Sequence, residues 1–122
     1  MEGWLVVNNV IAPQEVEALR AVLDEPEFAD SHSLDQYASQ MHITTLHPAM
    51  LALARDPRIV QHIVPLLGPN IQLHHSKTST KPSTPGTGEL WSYHQDFAFY
   101  PHTNSDVLAV MVMLDDATEE NG

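Results

Sequence analysis

Prolines that precede apolar segments constrain the fold of this sequence most strongly. Proline fits the first turn of a helix, where its missing N–H is not required, and it disrupts the interior of a helix or central strand. After Pro13, apolar residues recur at helical spacing: Val16, Leu19, Val22 and Leu23. Pro48 and Pro57 open two further segments of the same kind. The sequence therefore predicts helices that begin at Pro13, Pro48 and Pro57.

Further residues predict where these helices are capped and where they end. Asp56 precedes Pro57 and is a favourable N-cap residue. Pro26 is expected to end the first helix, and Gly68 is expected to end the third. Pro65 lies inside the last turn of the third helix, so we expect it to kink or shorten that helix.

The rest of the chain has a different period. Trp4–Val7 and Ile71–Thr80 are predicted strands, and Trp91–Tyr100 is aromatic and expected to be extended. Val107–Leu114 is an unbroken apolar run, which is typical of a strand buried on both faces. Glu27–His47 has no clear period and is interpreted as a long loop or a set of short turns. Helices followed by strands predict the α+β class.

Composition limits the classes of function. The chain has 122 residues, of which 43% are hydrophobic and 17% charged, so one globular domain is expected. The net charge of −11 would repel phosphate, which argues against a nucleic-acid partner or an anionic membrane surface. No apolar run approaches the roughly 20 residues of a membrane helix, and no basic, signal-like segment opens the chain. A cytoplasmic location is therefore expected.

The absence of cysteine limits any metal site to His, Asp, Glu and backbone oxygens. Side chains two residues apart on an extended segment point to the same side, so His94 and Asp96 are expected to project together. An imidazole and a carboxylate, with a second His from elsewhere, form the 2-His-1-carboxylate triad of Fe(II) oxygenases. His94 and Asp96 are therefore candidate metal ligands with a catalytic role, although on this spacing alone a structural role is the favoured interpretation.

The same polar residues are compatible with other roles. Asp96 could cap a turn beside a partly buried His94 that binds no metal. His102 could be a third ligand, although a surface position is the expectation, and adjacent His74 and His75 would face opposite sides of a strand. His32, His42 and His47 could contact substrate, although exposure to solvent is the expectation for them and for His62. Lys77 and Lys81 could offset negative charge on a co-substrate or substrate.

A wider set of motifs resembles the phytanoyl-CoA dioxygenase-like family. The resemblance begins with Gly3–Val7 and the helix after Pro13, and it continues with Lys81-Pro82 and the Gly-containing loop that follows. Its most specific part is the run from His94-Gln95-Asp96 to Asp106, which leads through Val107–Leu114 to Glu120-Asn121-Gly122.

The resemblance implies a double-stranded β-helix (jelly-roll) core with N-terminal helices packed on it. It also implies Fe(II), 2-oxoglutarate and O2, with oxidative decarboxylation of 2-oxoglutarate to succinate and hydroxylation of an unactivated C–H bond of a small organic molecule. His94 and Asp96 match the first two iron ligands of the family. Lys77, Ser79 and Val112 fall on strands that border the co-substrate pocket.

The family's distal His and its 2-oxoglutarate-anchoring Arg follow the Asn-Gly turn that closes this sequence. Residues 1–122 are therefore expected to be the N-terminal part of a single domain with an incomplete jelly roll. The alternative function is a non-catalytic or differently metallated jelly-roll module that binds a small molecule.

Overall fold

A computed structural model describes residues 3–31, 38–81 and 94–119 of the chain. Its helices are α1 (Pro13–Leu23), α2 (Ile43–Leu46), α3 (Pro48–Ala54) and α4 (Pro57–Leu67), and its strands are β1 (Ala38–Met41) and β2 (Lys77–Thr80). Two 3-10 turns, η1 (Pro26–Ser31) and η2 (Asp96–Ala98), complete the set. The predicted loop over residues 82–88, the start of the aromatic segment at residues 91–93, and His32 lie outside the described residues.

The three predicted helices are confirmed, and each begins with its proline at the first or second position. The Asp56 carboxylate caps α4 by accepting the Arg58 N–H at 2.8 Å. Gly68 follows the last turn of α4 with a φ of 87°, a value that suits glycine. Pro65 was expected to kink or shorten α4; it does not shorten it, because the helix runs through Pro65 to Leu67.

α1 and α4 are 11 residues long, the greatest length among the described helices. Within the ranges that the structure describes, no helix is long and apolar enough to cross a membrane.

The strands β1 and β2 pair antiparallel and form a two-stranded sheet. Ser39 pairs with Ser79, and Met41 pairs with Lys77. The predicted long loop over Glu27–His47 is therefore more ordered than expected, because η1, β1 and α2 all lie within or overlap it. The predicted strand Ile71–Thr80 is shorter than expected, since only its last part, β2, pairs with a neighbour.

The core lies where α1, η1 and α3 meet. Phe28 is fully buried, and Leu19 and Met50 pack with it. Partly buried apolar side chains surround this cluster: Ile11, Val22, Leu23, Ile43, Leu53 and Leu114. Leu114 is thus the point at which the C-terminal segment joins the core formed by the helices.

Two predicted strands are not strands in the structure. Trp4–Val7 lies in irregular backbone, and Trp4 is 71% exposed. Val107–Leu114 is also irregular, and Met111 in its middle is 80% exposed, so the expectation of burial on both faces was wrong. Within the described part, neither segment lies in a hydrogen-bonded ladder, which a strand requires. The architecture is α+β, with a small antiparallel sheet.

Arginine side chains link elements that are distant in sequence. Arg58 of α4 donates to both carboxylate oxygens of Glu15 on α1, at 2.7 and 2.9 Å. Arg20 of α1 donates to the Leu114 carbonyl and, at 2.6 Å, to the Asp115 carboxylate. The first contact joins α1 to α4, and the second attaches the C-terminal segment to α1.

Candidate metal and co-substrate site

His94 and Asp96 lie at the entry to η2. Gln95 between them is extended, with φ −101° and ψ 123°, and the turn begins at Asp96. The Asp96 carbonyl accepts the N–H groups of Phe99 and Tyr100, both at 2.9 Å, which closes the turn. The expected extended segment is therefore interrupted at Asp96, yet His94 Nε2 and Asp96 Oδ1 lie 3.3 Å apart.

The separation of these two atoms suits a shared metal ion. Two ligands bound at about 2.1 Å and at right angles lie about 3 Å from each other. The His94 and Asp96 side chains are 46% and 53% exposed, so an ion can reach both. The alternative in which Asp96 caps the turn does not hold, because Gln95 is the capping residue and η2 has no side-chain cap.

Within residues 3–31, 38–81 and 94–119, no three or more His, Asp or Glu side chains are arranged to hold a metal ion. His102 therefore does not complete a three-ligand group with His94 and Asp96 here. Its ring is half-buried and contacts the rings of Phe97 and His74, with centroids at 5.2 and 5.7 Å. His102 lies in the irregular segment after η2 and is partly exposed.

His74 and His75 meet, contrary to the prediction that they face opposite sides of a strand. Their Nδ1 atoms are 2.9 Å apart, and their rings meet edge to face. Residues 71–76 are irregular, so the alternation of a strand does not apply to them. The His75 ring also stacks on Tyr100, with centroids 4.3 Å apart. Together with His102, these residues form an imidazole cluster beside η2: His74, His75, Tyr100 and His102.

The surroundings of His75 favour its neutral form. Burial lowers the pKa of His75, and the charges of His74 and Lys77 lower it further. The Asp96 carboxylate acts in the opposite direction and raises this pKa. His75 therefore lies within electrostatic range of the candidate metal ligand Asp96.

Lys77 and Ser79 are exposed and alternate along β2 with the half-buried Thr78 and Thr80. They lie on one face of the strand, as the spacing predicts. The positive charge of Lys77 helps to lower the pKa of His75, so Lys77 lies near the imidazole cluster. Val112 is half-buried in the irregular segment that precedes Leu114.

Other predicted histidines have ordinary surroundings. His62 is exposed on α4, as expected, and His42 is exposed before α2 with a φ of 60°. His47 is half-buried and caps α3, because its Nδ1 accepts the Ala49 N–H at 3.2 Å. Its role as a helix cap was not anticipated, since histidine is not among the usual cap residues.

The sequence is similar throughout its length to a known family. The family described as Phytanoyl-CoA dioxygenase (PhyH) matches residues 1–122. A probable alpha-ketoglutarate-dependent hypophosphite dioxygenase from Stutzerimonas stutzeri is 45% identical over 74 residues, which cover 61% of this chain and 25% of that protein. No solved structure gives a significant match.

Two other relatives align with nearly the whole chain. The ectoine dioxygenase of Streptomyces anulatus is 28% identical over 135 aligned positions, covering 99% of this chain and 45% of the relative. The L-proline trans-4-hydroxylase of Streptomyces griseoviridis is 26% identical over 131 positions, covering 99% and 48%. The chain thus spans about half the length, or less, of these curated relatives.

Proposed function

Because this chain belongs to the phytanoyl-CoA dioxygenase family, we propose that it supplies two iron ligands of an Fe(II)- and 2-oxoglutarate-dependent dioxygenase. The ligands are His94, through Nε2, and Asp96, through Oδ1. The observation that carries the proposal is their 3.3 Å separation at the start of η2. When bound, Fe(II) with 2-oxoglutarate and O2 would support the oxidative decarboxylation of 2-oxoglutarate to succinate and CO2, coupled to hydroxylation of a C–H bond.

Neighbouring side chains support the geometry of this pair. The Phe99 ring meets the His94 imidazole edge to face, with centroids 5.3 Å apart, and so limits its rotation. Phe99 and Tyr100 also donate their N–H groups to Asp96, which fixes the backbone from which the carboxylate projects. Preorganised ligands bind an ion with less loss of side-chain freedom.

We assign Lys77, Ser79 and Val112 to the co-substrate pocket. 2-Oxoglutarate carries two carboxylates, and a chain with a net charge of −11 needs a local cation to hold an anion. Lys77 is exposed on β2 and lies close enough to the imidazole cluster to act on His75. Ser79, on the same face, can donate a hydroxyl hydrogen bond to a carboxylate.

The proposal extends to the fold and the substrate class. The fold is the double-stranded β-helix, of which β1, β2 and the segment after η2 form part. The substrate is a small organic molecule, as in the relatives named for ectoine and L-proline, although another relative is named for the inorganic ion hypophosphite. The alternative is a small-molecule-binding module that is non-catalytic or holds another metal.

Succinate release by the full-length gene product, with Fe(II) and 2-oxoglutarate, tests the proposal. A panel of small amines, amino acids and phosphorus oxyanions serves as candidate substrates. We expect succinate to exceed the no-enzyme control and to rise with the correct substrate. Iron binding without succinate release under any of these conditions would favour the non-catalytic alternative.

A further inference from the structure

We propose that His74 and His75 form a second metal site, separate from His94 and Asp96, which takes a late first-row divalent ion such as Zn²⁺ through two Nδ1 atoms. The geometry is that of two ligands on one ion. Zn–N bonds of about 2.0–2.1 Å, at angles between square and tetrahedral, place two nitrogens about 2.9–3.4 Å apart. The Nδ1 atoms of His74 and His75 are 2.9 Å apart and are joined by a hydrogen bond, whose proton a bound ion would replace.

Access and orientation also fit a metal site. His74 is exposed and His75 is half-buried, so an ion from solvent can reach the atoms between them and retain water at its other positions. The stacked Tyr100 ring fixes the plane of His75, with centroids at 4.3 Å, and His74 is flanked by Tyr100 and His102 at 6.0 and 5.7 Å. The two imidazoles are thus held in place before an ion arrives.

The electrostatics support the site on balance. Imidazole is the commonest metal-binding side chain in proteins, and it binds in its neutral form. Lys77 opposes a cation here, whereas the Asp96 carboxylate and the net charge of −11 attract one. Imidazole nitrogen suits Zn²⁺, Cu²⁺ and Ni²⁺ better than the oxygen-seeking Mg²⁺ or Ca²⁺. The site is therefore expected to select late transition metals.

The test uses Zn²⁺ itself and a protein in which the first site is removed. Calorimetric titration with ZnCl2 is performed on the full-length gene product without a histidine tag, carrying His94→Ala and Asp96→Ala. We expect this double variant to bind Zn²⁺, and we expect a further His74→Ala or His75→Ala change to weaken binding tenfold or more. His62→Ala, an exposed histidine on α4, is the matched control and should leave binding unchanged.

The double variant also allows a measurement without further mutation. X-ray absorption spectroscopy of zinc bound to the double variant should show at least two imidazole nitrogens on the ion. Fewer than two would overturn the proposal. Absence of Zn²⁺ binding in the double variant, or binding that survives both His74→Ala and His75→Ala, would overturn it as well. Because these experiments involve neither Fe(II) nor succinate, their failure would leave the proposed dioxygenase function standing.

Discussion

The guanidinium of Arg58 on α4 holds both carboxylate oxygens of Glu15 on α1, at 2.7 and 2.9 Å. The same carboxylate accepts the Ala12 N–H at 2.8 Å, so it also caps its own helix. These hydrogen bonds lower the pKa of Glu15 to about 2, with Arg58 as the largest cause. The Glu15 carboxylate therefore connects the start of α1 to the start of α4 through Arg58.

We predict that Glu15→Gln lowers the thermal midpoint by a few degrees at pH 7, and that the difference from the native protein shrinks in acid. Because folding lowers the Glu15 pKa, its contribution is present above its ordinary pKa and is lost as the pH falls from about 5 toward 2. Thermal unfolding at several pH values measures this. Glu27→Gln, on η1, is the control, and an equal effect of both variants at every pH would contradict the prediction.

Phe28→Ala should destabilise the protein severely. Phe28 is fully buried between Leu19 and Met50, so its removal leaves a cavity in the small core. Replacement of a buried Phe by Ala typically costs about 3–5 kcal/mol. Urea unfolding measures the loss, and Leu66→Ala, at a side chain that is 59% exposed, should cost far less. Equal losses for the two variants would show that the core is misplaced.

Arg20→Ala should release the C-terminal segment from α1. Arg20 donates to the Leu114 carbonyl and to Asp115, and Leu114 packs on the core. Hydrogen exchange followed by mass spectrometry should show faster exchange over residues 107–116 while α3 is unaffected. Arg55→Ala, at the exposed end of α3, provides the charge-matched control. Unchanged exchange in Arg20→Ala would mean that this contact does not hold the segment.

His47→Ala should destabilise the protein by about 1 kcal/mol, the usual cost of losing a helix cap. His47 Nδ1 accepts the Ala49 N–H at the start of α3, and Asn at this position can accept the same bond. We therefore expect His47→Asn to be closer to the native protein than His47→Ala in urea unfolding. If the two variants were equally destabilised, capping would not be the role of His47.

Much of the helical part could be predicted from sequence because its signals are local. Pro13, Pro48 and Pro57 each act within one turn, and the Asp56 cap requires only its neighbours. The β1 strand was missed because Ala38–Met41 has little apolar alternation, and its pairing depends on a strand far along the chain. Val107–Leu114 was predicted as a strand from its apolar content, but a strand forms only when another strand pairs with it.

In the candidate site, too, the contact between residues close in sequence could be predicted, and contacts that depend on the fold could not. The proximity of His94 and Asp96 was expected from their spacing, although a turn at Asp96, not an extended chain, accompanies it. The contact between His74 and His75 was missed because the strand rule was applied to residues that are irregular. The pairing of Tyr100 with His75 joins residues 25 positions apart in the sequence, and no local pattern could have indicated it.

Anaerobic titration of Fe(II) into the full-length gene product tests the assignment of His94 and Asp96 most directly. His94→Ala and Asp96→Ala should each weaken iron binding at least tenfold and abolish succinate release. Asp106→Asn, an exposed acid in the segment after η2, should change neither quantity. Native iron affinity and turnover in either ligand variant would contradict the assignment.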